Sequence, residues 1–338
     1  MSTTGADAPR RNIHLTLGIN DSDHVRDLVS GRVQVDGIDL TCLLMEVEEI
    51  FFRFTRNHEW DVSELSFGKY CAMRAAGDDS LIAIPVFPSR SFRHSAIYVR
   101  PDGPVNDPTA LAGARIGFPE WTVTATVYAR ALLQHEYGLD LTEIDWVQGG
   151  TNEPGRRETL PVKLPAGVRV RAESQRSLNE MLIAGDIDAI VAPHTPSGFD
   201  DGSGDIVRLF SDWSGEEQSY YKRTGIFPIM HLVVIRKEVD SAYPWAAANL
   251  FKAFLEAKDR SVKRMLDSNA PLTPVPWGPV HVARVQEIMG PDVWPYGLEA
   301  SRTTIEAFLR YAYEQGVCAR KLECEELFAP SVLEFFRV

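Results

Sequence analysis

The segment Leu81-Ile82-Ala83-Ile84-Pro85-Val86-Phe87-Pro88-Ser89-Arg90-Ser91-Phe92-Arg93-His94, with a second apolar run at Ala96–Val99, decides how the chain is read. Its first seven residues have the length and composition of a buried strand, and two guanidiniums and an imidazole follow where that strand ends. Charged groups are costly to hold near a core unless an anion meets them, so the segment predicts a carboxylate ligand. Pairing of Arg90 and Arg93 with surface Asp or Glu is the competing explanation.

Working outward, short β-like runs at His14–Gly18, Ile38–Leu44 and Asp61–Leu65 precede this strand and alternate with helical stretches. Strand, helix, strand order predicts a parallel sheet. One helix is expected from Asp21–Ser22 toward Gly31, and a second presents Val47, Ile50, Phe51 and Phe54 as one apolar face at i, i+3, i+4 and i+7. Beyond the turn Arg100–Pro104 a new unit opens with the strand Ala114–Phe118 and the helix Thr122–Tyr137, which Gly138 ends. It continues through Asp145–Val147, a loop from Gly149 to Gly167, the helix Ser177–Ala184 and the strand Asp188–Ala192, and closes near Gly225. The run Ile229–Ile235 then leads back, and the remainder is helical, with stripes at Leu250, Phe251, Phe254, Leu255 and at Ile305, Phe308, Leu309, Ala312. The expected organisation is α/β with two lobes: residues 1–98 plus 233–338 form the first, and 99–232 are inserted as the second.

A chain of 338 residues exceeds one comfortable core, in keeping with two lobes. Its formal charge of −12 repels nucleic acid and anionic membrane surfaces, so local basic clusters must serve small anions. No apolar run of membrane-spanning length occurs. Arg10-Arg11, within the tail Met1–Asn12, lacks the apolar stretch an export signal needs, and that tail is expected to be disordered. Cys42, Cys71, Cys318 and Cys324 show no metal or disulfide spacing and are read as reduced thiols of a cytoplasmic protein.

Two runs pass between the lobes, and a histidine, His94 or His231, stands at the start of each. If the passages lie side by side, both imidazoles sit on the floor of the cleft as acid–base candidates; otherwise they are core histidines bonded to backbone. Glu64, with Ser66 beside it as a substrate contact, either orients a histidine or caps the following helix. Glu120 precedes Thr122-Val123-Thr124-Ala125-Thr126, where helix-terminal N–H groups and the hydroxyls of Thr122 and Thr124 either receive a carboxylate or serve as ordinary caps. His194 ends a strand and faces either cleft or solvent. His94, His231, Glu64 and His194 are also of the type that binds a transition metal, although no HxH, HxxE or HExxH spacing supports a metal site. No nucleophile elbow or glycine-rich phosphate loop is present.

Four strings carry a family resemblance: Asp61-Val62-Ser63-Glu64-Leu65-Ser66; Ile84-Pro85-Val86-Phe87-Pro88-Ser89-Arg90 with Phe92-Arg93-His94-Ser95; Thr224-Gly225-Ile226-Phe227-Pro228-Ile229-Met230-His231; and Trp294-Pro295-Tyr296-Gly297-Leu298-Glu299. With the shorter pieces Gln134–Gly138 and Glu153–Arg156, the chain from about Leu15 to Val338 resembles the 4,5-dihydroxyphthalate decarboxylase family, of type II periplasmic-binding-protein-like fold. The resemblance implies loss of CO2 from a hydroxylated aromatic dicarboxylate, most simply 4,5-dihydroxyphthalate giving protocatechuate, without an organic cofactor. In that chemistry Arg90 and Arg93 are expected to anchor the retained carboxylate, with Arg223 and Arg302 as further donors and Phe227 and Trp294 as apolar surroundings. A passive solute-binding protein for a small organic acid, and a decarboxylase of another hydroxylated aromatic acid, are the alternatives. The small acid is the expected partner, and the sequence leaves a homo-oligomer open.

Overall fold

The computed structural model describes residues 12–267, 269 and 274–335. The expected tail, apart from Asn12, therefore lies outside the described residues. Among the described residues eleven strands form two sheets: β1 (Ile13–Ile19), β2 (Ile38–Leu44), β3 (Val62–Ser66), β4 (Leu81–Arg90), β5 (Ile97–Val99), β6 (Arg115–Phe118), β7 (Asp145–Gln148), β8 (Arg169–Ala172), β9 (Ala189–Val191), β10 (Val207–Arg208) and β11 (Ile229–Arg236). The helices are α1 (Arg26–Val29), α2 (Val47–Asn57), α3 (Phe67–Ala75), α4 (Thr124–Tyr137), α5 (Leu178–Ala184), α6 (Ser197–Asp200), α7 (Trp213–Thr224), α8 (Lys237–Ala242), α9 (Ala246–Leu266), α10 (Gly278–Met289), α11 (Leu298–Glu314) and α12 (Pro330–Phe335).

The first sheet runs β2-β1-β3-β11-β4 and the second β10-β5-β9-β6-β7-β8. Both are mixed, which corrects the expected parallel sheet. β1 pairs in parallel with β2 and β3, but β11 enters from the far end between β3 and β4 and pairs antiparallel with both. Its origin explains the reversal, because the chain reaches β11 only after completing the second sheet and so arrives from the side where β4 left.

β3 is buried throughout, as are β4 except at Ser89 and β11 except at His231 and Arg236, so these strands read as near-continuous apolar runs. The expected stripes on α9 and α11 reach the core through Leu250, Phe251 and Phe254 and through Ile305, Phe308, Leu309 and Ala312, with Leu255 half-buried against it. The α2 stripe divides: Ile50 and Phe54 are buried, while Val47 and Phe51 line a cavity. α7 escapes the sequence reading because it is polar, burying only Glu217 and Tyr220. β8 escapes it as an exposed edge strand.

Where the sheets approach each other, two helix starts meet. A Cβ at Gly68 in α3 would stand 2.5 Å from the Thr122 carbonyl oxygen ahead of α4, and Gly68 N–H donates to Thr124 Oγ1 at 2.9 Å. Only a residue without a side chain permits that contact.

Candidate active site

Side chains directly opposite each other in antiparallel strands point to the same face. His231 in β11 stands opposite Ser66 in β3 and Ser89 in β4, so Ser66, His231 and Ser89 form a row across the sheet, and all three line one cavity. Glu64 faces Val233, two residues from His231, which makes Glu64 and His231 diagonal neighbours on that face. Their contact is direct: His231 Nδ1–H donates to Glu64 Oε1 at 2.6 Å, with the carboxylate side chain 2% exposed and the imidazole 18%. The other carboxylate oxygen accepts from Asn20 N–H at 3.0 Å. Phe51 meets the imidazole edge-on, 4.9 Å between centroids. A carboxylate fixed on both oxygens holds the ring in one tautomer and leaves Nε2 without a partner among the described residues.

The cavity has a volume of about 970 Å³. Its walls come from α2, the start of α3, the segment after β4, the start of α4, the loop carrying Arg156, and Pro193-His194 after β9. Arg93 lines it and makes no ion pair among the described residues; its Nη2 touches Met230 Sδ and its Nε is buried without a partner. Burial pulls its guanidinium down to about 10, opposed by the charge of Glu217, which still leaves it cationic at neutral pH. A half-buried cation lining this cavity with no ion-pair partner among the described residues is suited to an anion.

Glu120 and Thr124 also line the cavity. Thr124 Oγ1 shares a hydrogen bond with Ser66 Oγ at 3.0 Å. The Glu120 carboxylate is fully engaged, by Arg156 Nη2 at 2.8 Å, Thr159 Oγ1 at 2.7 Å and Lys69 Nζ at 3.3 Å. Burial alone raises its pKa, but Lys69, Thr159 and Arg156 outweigh that and hold it below the usual carboxylate range. His194 pairs with Glu48 of α2 across the cavity mouth, both half-exposed, and that hydrogen bond draws the Glu48 carboxyl down to about 2.

Several expected site residues stand elsewhere. Arg90 follows Ser89, and strand alternation turns it to the opposite face. There it is buried and donates to the carbonyls of Phe227 at 2.8 Å and Pro295 at 2.7 Å and to Ser301 Oγ at 2.7 Å, tying three chain segments together rather than facing a ligand. His94 turns away from Arg93 into an apolar pocket against Phe210 and Tyr220, with Nδ1 unpartnered, and burial, then the charge of Arg223, draws its pKa down to about 4. Arg223 pairs with Glu136 on the surface, and Arg302 with Glu299 and Glu325. Thr122 is buried and donates to Glu158. Phe227 stacks on Phe92 at 4.9 Å, and Trp294 donates its indole N–H to the Phe87 carbonyl at 2.9 Å. Neither ring lines the cavity.

Of the four candidate metal ligands only His231 and Glu64 meet, and no three His, Cys, Asp or Glu side chains gather as a metal-binding group among the described residues. Burial pushes the thiols of Cys42, Cys318 and Cys324 up, to about 11, 12 and 12, so none offers a thiolate at neutral pH. No described helix is long and apolar enough to cross a membrane. Sequence reasoning missed Phe51, Lys69 and Ser89 as cavity residues. Alternation against Arg90 would have found Ser89, and one helical turn beyond Ser66 would have found Lys69.

The chain is 38% identical over 327 residues to the 4,5-dihydroxyphthalate decarboxylase of Comamonas testosteroni, covering 96% of this chain and 99% of that one. It is 40% identical over 211 residues to the 4,5-dihydroxyphthalate decarboxylase of Pseudomonas putida, covering 62% of this chain and 82% of that one. No family model matches. Among solved structures, it resembles the periplasmic aliphatic sulphonate binding protein SsuA from Escherichia coli, with a TM-score of 0.53, 11% identity and coverage of 95% and 98% of the two chains. It also resembles the desulfurization enzyme DSZB, with a TM-score of 0.52, 15% identity and coverage of 96% and 98%. These similarities show a periplasmic-binding-protein-like fold, as expected from the sequence.

Proposed function

The chain belongs to the 4,5-dihydroxyphthalate decarboxylase family, and from that premise we propose that it is a carboxy-lyase that releases one carboxylate of 4,5-dihydroxyphthalate as CO2 and leaves 3,4-dihydroxybenzoate. The observation that carries the mechanism is the His231–Glu64 pair at the base of a cavity whose wall holds Arg93 without a carboxylate partner among the described residues.

Each carboxylate of this substrate has a hydroxyl para to it. Arg93 anchors the carboxylate that stays, its planar fork matching two oxygens. Imidazolium Nε2 of His231 delivers a proton to the ring carbon bearing the other carboxylate, and the para hydroxyl donates electron density to the protonated ring. The carbon–carbon bond then breaks, its electron pair restores aromaticity, and CO2 leaves neutral. Glu64 orients His231 and stabilises the imidazolium, which solvent reprotonates after each turnover. No organic cofactor enters these steps. Ser66 and Thr124 supply hydroxyls to the cavity wall.

His231→Gln should retain binding of phthalate and lose roughly 10²–10⁴-fold in kcat, the range general acid catalysis supplies. Wild-type CO2 release by that variant would remove His231 from the mechanism. Two lobes are proposed to close on the substrate, divided as expected from the sequence except that β11, from Ile229, goes with the first sheet and β5, from Ile97, with the second; the contacts Ser66–Thr124, Lys69–Glu120 and Glu48–His194 between them support this. A cytoplasmic location is part of the same proposal, supported by the four unpaired cysteines.

A further inference from the structure

Beyond its contact with Glu120, Lys69 has a specific place. It lies on α3 one turn beyond Ser66, on the β3 side of His231, while Arg93 lies beyond β4 on the other side. With strands about 4.8 Å apart, Ser66 and Ser89 stand roughly 10 Å from each other with the imidazole between them, so the proton donor is flanked by two cations. A substrate with carboxylates on adjacent ring carbons presents two anions around the one atom to be protonated.

Glu120 is one carboxylate shared by two cations, Arg156 at 2.8 Å and Lys69 at 3.3 Å, with Thr159 at 2.7 Å on the same oxygen that faces Lys69. The lysine makes the longest of these contacts. An ammonium has three N–H donors, and among the described residues Lys69 has no other partner. Its side chain is 12% exposed and lines the cavity.

We propose that Lys69 holds the departing carboxylate and makes the site selective for a diacid, an inference that rests on the decarboxylase reading. A hold as firm as a guanidinium fork would favour the ground state, because that carboxylate loses its charge as CO2 forms. Lysine tethered to Glu120 avoids this. As negative charge drains from the substrate, the ammonium falls back on the buried carboxylate, and the cation is never left without a counter-charge.

Two ligands separate this role from a contact with the ring hydroxyls: phthalate, with two carboxylates and no hydroxyl, and 3,4-dihydroxybenzoate, with one carboxylate and both hydroxyls. Calorimetric titration should show Lys69→Met binding phthalate roughly tenfold more weakly than wild type, the worth of one charge-assisted hydrogen bond, while 3,4-dihydroxybenzoate changes by less than about threefold. Glu120→Gln, which removes the competing charge, should bind phthalate at least as tightly as wild type and turn over 4,5-dihydroxyphthalate more slowly. Equal weakening of both ligands by Lys69→Met, weakening of the monoacid alone, or weaker phthalate binding by Glu120→Gln overturns the assignment. Wild-type protein that binds phthalate but releases no CO2 from 4,5-dihydroxyphthalate sinks the decarboxylase reading instead, and the phthalate comparison still decides whether Lys69 reads the second carboxylate.

Discussion

Ser89, Arg90 and the later Arg93 show how much one residue of register decides. Ser89 faces the cavity beside His231, whereas Arg90 is committed to three oxygens on the other face. Arg93→Met should therefore raise KM by about tenfold or more with little change in thermal stability, and Arg90→Met should chiefly lower stability, since it strands buried carbonyls. Steady-state kinetics alongside urea unfolding separates the two; the reverse pattern would return Arg90 to the ligand. His94 makes a different prediction. Its pKa of about 4 in the folded protein lies below the 6.5 of an unfolded histidine, so between those values the unfolded chain binds more protons. Its contribution to stability is complete above pH 6.5 and is lost as pH falls toward 4. His94→Gln should flatten the loss of urea-unfolding free energy over that window, and an unaltered slope would show that the ring is not held neutral. Glu64, His231 and Arg93 were named from sequence as candidates, and the structure places His231 and Arg93 at the cavity with Glu64 bonded to His231. Which of the two arginines lines the cavity was not legible, because the facing of Arg90 depends on the pairing of β4 with a strand more than a hundred residues later in the chain.

At the scale of elements, periodicity predicted those that bury one face and missed those that do not. The stripes of α9 and α11 and the runs of β1, β3 and β4 are dictated by burial, so composition reveals them. The polar α7 and the edge strands β8 and β10 are placed by their neighbours, and nothing local announces them. The α2 stripe was legible as apolar but not as shared between core and cavity. The seam between α3 and α4 is the element most exposed to a small change. Gly68→Ala would set a methyl group 2.5 Å from the Thr122 carbonyl oxygen, a clash with backbone that cannot rotate away. Opening the seam to accommodate it should cost about 1–3 kcal/mol and shift Thr124 from Ser66, raising KM. Unchanged thermal unfolding and unchanged kinetics in that variant would mean the helix starts do not bear on each other.

For the whole molecule, chain order places β1 to β4 in the first sheet, β5 to β10 in the second and β11 back in the first. Sequence order indicated that two passages existed. It could not indicate that β11 would wedge between β3 and β4 instead of extending an edge, since a strand's neighbours are chosen by the assembled sheet. That insertion has a consequence for synthesis. A nascent chain that has emerged only as far as β9 displays β3 and β4 with the gap between them unfilled, two hydrogen-bonding edges flanked by apolar side chains. Such edges recruit other chains when left waiting, and closing them requires contacts of high sequence separation. The first sheet therefore closes only once the strand that also bears His231 is made, so sheet closure and the His231–Glu64 contact arise in a single event.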